Sequence, residues 1–230
     1  MDYQSVYAQK LTTADAVAAL VKDGDWVDYG WCLGTPVAFD AALAKRLPDL
    51  YDIKFRGGIL CHVPEIFKIE APGDHFTWNS WHMGGIERKA VAAGYAFYSP
   101  IRYSELPRYY RESPDELNIA VFVTAPMDNH GYFNLGPCAS HLADAARKAD
   151  KVFVEVNRNM PVCLAAMTTA CIFPRSTASL RAATRPSTSW EAAAPPPRWT
   201  RRWPSWWWSR SPTAPACSLA SAGCPTPSAP

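Results

Sequence analysis

"LNIAVFVTAPMDNHGYFNLGPCASHLADAARKADKVFVEVN", residues 117–157, holds two apolar runs with a polar, alanine-rich stretch between them. "LNIAVFVT" is apolar almost without a break, the pattern of a strand buried on both faces of a sheet. "KVFVEV" repeats it, and "SHLADAARKAD" between the two suits a helix. Strand, helix and strand in that order predict a right-handed βαβ unit with adjacent parallel strands. The fold class follows from this unit.

The residues before it continue the alternation. "TADAVAALVKDGD", residues 13–25, suits a short helix opened by Thr13 and Asp15 and closed at the Gly24 turn. "WVDYGW" reads as a strand that runs into "CLGTPVAFDAALAKRL", where Thr35 could cap a helix with Pro36 at its first position. "DIKFRGGILC" is a further strand. "HFTWNSWHMGGIERKAVAAG" gives a strand or loop and then a helix from about Gly85, and "SELPRYYRE" a short helix. Strands alternating with helices predict an α/β domain, a mostly parallel sheet with flanking helices.

Composition limits the function less than it first suggests. The formal charge of +2 is the sum of two unlike parts. Residues 1–164 carry 16 basic and 20 acidic side chains; the remainder carries seven Arg and a single acid, Glu191. No stretch approaches the ~18 consecutive apolar residues of a membrane span. "MDYQSVYAQK" lacks the basic and apolar regions of a secretion signal, so a cytoplasmic location is expected. The seven Cys form no CxxC or Cys/His spacing that would build a zinc site, and no metal is expected.

The candidate chemistry lies in loops that follow strands, where α/β folds place ligands. "DNHGYFNLG" groups Asp128, His130, Gly131 and Asn134 after the buried strand; an Asx-type turn at Asp128 and Asn129 is the competing account. "GWCLGTP" contributes Trp31, Gly34 and Thr35, and backbone N–H groups there could meet an anion, although glycine turns between strand and helix are common without a ligand. "GDHFTWNSWH" reads as packed aromatics whose polar tips bond locally. Cys32, Cys61 and Cys138 lack a neighbouring basic group and read as buried thiols.

Seven stretches carry a resemblance: "GDWVDYGWCLGTPVAFDAALAKR", "VPEIFK", "GDHFTWNSWH", "GIERKAV", "SPIRYSELPRYYRE", "APMDNHGYFNLGP" and "VEVNRNMP". They resemble the acetyl-CoA hydrolase/transferase family, in particular its butyryl-CoA:acetate CoA-transferases, with 4-hydroxybutyrate CoA-transferase a further member. The resemblance covers residues 1–164 and implies the N-terminal domain of a two-domain CoA-transferase with an isomerase-like fold. It implies acyl-CoA and short-chain carboxylates such as acetate and butyrate as partners, with coenzyme A thioester as substrate and no bound cofactor. A glutamate of the second domain would attack the acyl-CoA and pass through a glutamyl-CoA thioester. A homo-oligomer is possible for the full-length enzyme; neither nucleic acid nor membrane is expected as partner. The alternative is a non-catalytic ligand-binding or interaction domain.

Beyond "MPVCL" the resemblance stops. "WTRRWPSWWWSR", residues 199–210, sets five tryptophans among arginines with no acid. Arginine interleaved with tryptophan could serve single-stranded nucleic acid or a membrane interface. Codon arithmetic points elsewhere. Tryptophan has one codon, so Trp206–Trp208 fixes its bases, and a one-base shift turns such runs into apolar residues at helical spacing. Residues 165–230 are therefore expected to be an out-of-frame tail, irregular or disordered, in which no domain forms and from which the family's catalytic glutamate is missing.

Overall fold

The computed structural model describes residues 3–164, 170–172 and 178–181. In chain order the helices are α1 (Tyr3–Gln9), α2 (Ala14–Ala18), α3 (Ala38–Arg46), α4 (Pro72–His75), α5 (Gly85–Ala92), α6 (Leu106–Glu112) and α7 (Leu142–Lys148). The strands are β1 (Leu11–Thr12), β2 (Trp26–Asp28), β3 (Ile53–Gly57), β4 (Phe76–Ser80), β5 (Ala96–Tyr98), β6 (Ile119–Thr124), β7 (Tyr132–Asn134), β8 (Lys151–Val156), β9 (Ala170–Ile172) and β10 (Ala178–Arg181). Eight of them form one sheet in the order β1-β10-β8-β6-β2-β3-β4-β5, and every pair in it is parallel. β7 and β9 make a separate antiparallel pair.

The expected βαβ unit is present. β6 and β8 pair in parallel from Ile119↔Lys151 to Thr124↔Val156, with α7 between them in the chain. All six residues of β6 are buried. Alternate residues of these strands enter two separate cores, which is why the run has to be apolar throughout. Ile119, Val121 and Phe153 join Val27, Tyr29, Phe55 and Trp78 beneath α2 and α3. Ala120, Phe122, Val152 and Val154 join Trp31, Trp81, Tyr110 and Leu142 beneath α6 and α7.

Local signals place most helix starts. The Thr13 hydroxyl accepts the Ala16 N–H at 3.2 Å and opens α2. α5 begins at Gly85, and the side chain of its third residue, Glu87, accepts the Gly84 N–H at 2.9 Å. Thr35 departs from expectation. Its backbone is extended, and its hydroxyl donates back to the Cys32 carbonyl at 2.9 Å, closing a single 3-10 turn over Cys32–Gly34. α3 starts only at Ala38, and its cap is a carboxylate from another strand.

Residue 164 is also not the last residue with regular backbone. Residues 170–172 pair with β7, and residues 178–181 lie between β8 and β1. Backbone pairing needs an extended segment beside an open strand edge, whatever its side chains, so this much of the expected tail takes strand form. The rest of that expectation, including the tryptophan-rich residues 199–210, lies outside the described residues.

Candidate functional site

Because the sheet is parallel, the loops after β2, β3, β4, β6 and β8 all leave from one edge. β2 and β6 are direct neighbours, paired at Val27↔Ile119 and Asp28↔Ala120, so "GWCLGT" and "DNHG" both rise from the carboxyl ends of adjacent strands. α/β folds bind their ligands at such an edge.

Four buried acids hold this edge in shape. Glu155, near the end of β8, accepts the N–H groups of Val37 at 3.2 Å, Ala38 at 3.0 Å and Phe39 at 3.2 Å. Asp28, at the end of β2, accepts the Gly30 N–H at 2.9 Å and the Tyr110 hydroxyl at 2.5 Å. Glu87, on α5, reaches the Leu60 N–H at 2.7 Å as well as Gly84, tying the loop after β3 to the loop after β4. Asp40, on α3, accepts the Glu65 N–H at 2.6 Å and the Tyr29 hydroxyl at 3.2 Å. Burial raises the Asp40 pKa to about 6, against the pull of the Glu65 and Ile66 amides. Burial also raises the Glu155 pKa, opposed by the amides of residues 37–39.

None of these acids was singled out from the sequence, though two carried a signal: "WVDY" and "VFVEV" each place one acid inside an otherwise apolar strand. A charge there must have partners, since an unpaired buried carboxylate is costly. Glu155 also answers whether the turn before α3 could take an anion. Its amides already hold one, supplied by the protein.

The sequence-derived candidates fall into two groups. Trp31 is buried, with its ring edge-on to His141 at 5.4 Å and tilted against Tyr103 at 5.8 Å. Gly34 packs on Leu142, and Thr35 is buried beside it. Gly30, just before, has a φ of 68°, and a Cβ there would lie 2.5 Å from the Gly34 carbonyl oxygen.

Around the second loop, Asp128 accepts the N–H groups of His130 and Tyr132, each at 2.8 Å, which is an Asx-type turn. His130 is exposed. Gly131, with a φ of 83°, has the Tyr3 ring against it. Asn134 clamps the chain after β8: its Oδ1 accepts from Gly136 at 2.9 Å and Cys163 at 3.1 Å, and its Nδ2 donates to the Cys163 carbonyl at 3.0 Å.

The cysteines depart from the buried-thiol expectation. Cys32 has a φ of 54°, and its sulfur lies 3.4 Å from that of Cys61, which is exposed. The Cys138 thiol also bonds Cys32. The three come from the ends of different loops, so no sequence spacing reveals the group. On β3, beside Asp28 of β2, Arg56 is buried in a groove of about 320 Å³ lined by Trp26, Trp81 and Tyr109. Its guanidinium lies 4.1 Å from the Trp26 ring, and its Nη2 pairs with Asp115 at 3.0 Å and donates to the Tyr109 hydroxyl at 3.2 Å, while Nη1 is buried without a hydrogen-bond partner.

Two packed layers on a parallel sheet, with loops at the carboxyl edge fixed by buried acids, define an α/β domain. The acetyl-CoA hydrolase/transferase N-terminal domain matches residues 1–173, and the chain belongs to that family. It is 58% identical over 164 residues to butyryl-CoA:acetate CoA-transferase of Anaerostipes caccae, covering 71% of this chain and 37% of that protein. It is 40% identical over 158 residues to a probable butyrate:acetyl-CoA coenzyme A-transferase of Syntrophomonas wolfei, covering 69% and 35%. Among solved structures, RipA from Yersinia pestis superposes with a TM-score of 0.71 at 25% identity, over 81% of this chain and 45% of that one. The chain thus spans little more than a third of the length of these two curated relatives. Among the described residues, no helix is long and apolar enough to cross a membrane, and no group of three acid, His or Cys side chains is placed to hold a metal ion.

Proposed function

We propose that this domain forms one wall of an acyl-CoA:carboxylate CoA-transfer cleft, with butyryl-CoA and acetate as the substrate pair. The observation that carries the proposal is the 58% identity to the Anaerostipes enzyme over 164 residues. Trp31, Gly34, Thr35, Asp128, His130, Gly131 and Asn134 are the edge residues assigned to substrate. The family's chemistry needs a carboxylate nucleophile. Its attack on the thioester carbonyl expels CoA thiolate and leaves an acyl–glutamyl anhydride. The thiolate then attacks the glutamyl carbonyl, releasing the first carboxylate and leaving glutamyl-CoA. The second carboxylate reverses both steps.

The four acids at the edge are not that nucleophile, because each is buried with its oxygens engaged by backbone amides or tyrosine hydroxyls. The domain therefore supplies binding and shape, and turnover requires a glutamate from a second domain. An out-of-frame origin for residues 165–230 would part this wall from the family's nucleophile. The test is to incubate the purified chain with butyryl-CoA and acetate, and to trap with hydroxylamine. We expect weak CoA binding, no acetyl-CoA and no trapped glutamyl adduct. Acetyl-CoA formation would refute the division of labour, and undetectable CoA binding would refute the wall.

A further inference from the structure

The loops after β2 and β3 bring Cys32 and Cys61 to a sulfur–sulfur separation of 3.4 Å, the distance of a thiol–thiol hydrogen bond. Cys32 is half-buried and held at a φ of 54° by the turn around it; Cys61 is exposed. The structure assigns to this pair a modification site: we propose that peroxide converts Cys32 and Cys61 into an intrachain disulfide that ties the "GWCLGTP" turn to the "GGILC" loop.

Two features of the surroundings favour it. Hydrogen bonds from the Cys138 and Cys61 thiols, with one from the Leu33 amide, lower the Cys32 pKa to about 3 and make it the thiolate of the group. Donating to that anion keeps the protons on Cys61 and Cys138 and raises both pKa values. The arrangement therefore supplies an attacking thiolate with a resolving thiol already in contact, the pairing that redox-sensitive cysteines require.

The chemistry balances in two steps. The Cys32 thiolate attacks one peroxide oxygen; an S–O bond forms, the O–O bond breaks, and the departing hydroxide takes a proton to become water. Cys32 is then a sulfenic acid, and with its charge gone Cys61 no longer has an anionic neighbour holding its proton. The Cys61 sulfur attacks the Cys32 sulfur; an S–S bond forms, the S–O bond breaks, and the hydroxide leaves as water with the Cys61 proton. Two thiols are oxidised and one peroxide is reduced to two waters. This proposal does not depend on the transferase reading, because it uses only the two loops and their sulfurs.

The experiment treats the full chain with hydrogen peroxide, blocks the remaining thiols and maps peptides before and after reduction. The expected product is a peptide pair joining Cys32 to Cys61, lighter than the two thiols by two hydrogens and released by dithiothreitol. Cys61→Ser should instead accumulate a sulfenic acid at Cys32 that dimedone captures, whereas the unaltered chain should show little. A Cys32–Cys138 pair as the main product, equal dimedone capture in both proteins, or both thiols remaining free after peroxide would each overturn the proposal.

Discussion

A Glu155 carboxylate oxygen lies 3.0 Å from the amide nitrogen of Ala38, at the other end of the protein's central layer in sequence but at the first turn of α3 in space. The contact joins the last strand of the βαβ unit to the helix that follows β2. Removing it leaves the amides of residues 37–39 without their acceptor, at partly buried positions for Val37 and Ala38 and a buried one for Phe39. Glu155→Ala is expected to lower stability by roughly 3 kcal/mol, and Glu155→Gln, which keeps one acceptor oxygen, by about half as much. Urea unfolding of the three proteins provides the comparison, and a loss under about 0.5 kcal/mol for alanine would contradict it.

Asp40 gives the stability a pH dependence of defined sign. Its folded pKa of about 6 lies above its ordinary value of 3.8, so between the two the folded state binds more protons than the unfolded one. Stability from this group is present in full below the unfolded pKa and falls as pH rises through about 6. The total fall is on the order of 3 kcal/mol for a two-unit shift. Asp40→Asn should flatten that part of the curve. Unfolding midpoints across that range would show the flattening, and an unchanged slope would count against it.

Two of the left-handed glycines of the edge, Gly30 and Gly131, should differ when replaced. At Gly30 an added Cβ meets a backbone carbonyl oxygen at 2.5 Å, which cannot move without opening the turn. At Gly131 it meets the ring of Tyr3, a side chain near the chain's start. Gly131→Ala is therefore expected to cost about 1–2 kcal/mol from backbone strain alone, and Gly30→Ala at least about 3 kcal/mol. Equal losses in thermal unfolding would mean that the turn yields as readily as the tyrosine.

His130 and Asp128 separate binding from folding. The Asp128 side chain holds two amides of its own loop, so Asp128→Ala should cost about 1 kcal/mol of stability and weaken CoA binding as the loop loosens. His130 is exposed, and His130→Ala should change stability by less than about 0.5 kcal/mol while still weakening CoA binding. Calorimetric titration with CoA beside urea unfolding distinguishes the two. CoA affinity unchanged in His130→Ala would remove this loop from the ligand edge.

Much of the scaffold was legible because long apolar runs and helical spacing are local signals. "LNIAVFVT" has the pattern of a strand with both faces covered, and β6 is one. Thr35 was misjudged because its sequence fits a helix cap, whereas Glu155 arrives from 120 residues away to do that work and frees Thr35 to close a turn instead. The meeting of Cys32 with Cys61 was equally hidden, since two loops converge only once their strands have paired. Contacts made by topology leave no periodicity behind. The acids inside "WVDY" and "VFVEV" were the visible traces of the network, each legible as a charge that needed a distant partner.

The backbone of residues 178–181 fills the place between β8 and β1. In the described sheet β1 has β10 as its neighbour, so the protein's opening segment is moored to the main sheet through those four residues. A chain cut after residue 164 would bare the full edge of β8, flat and apolar, as a template on which a second molecule could lay its own strand. In the intact chain the backbone of residues 178–181 covers that edge by parallel pairing.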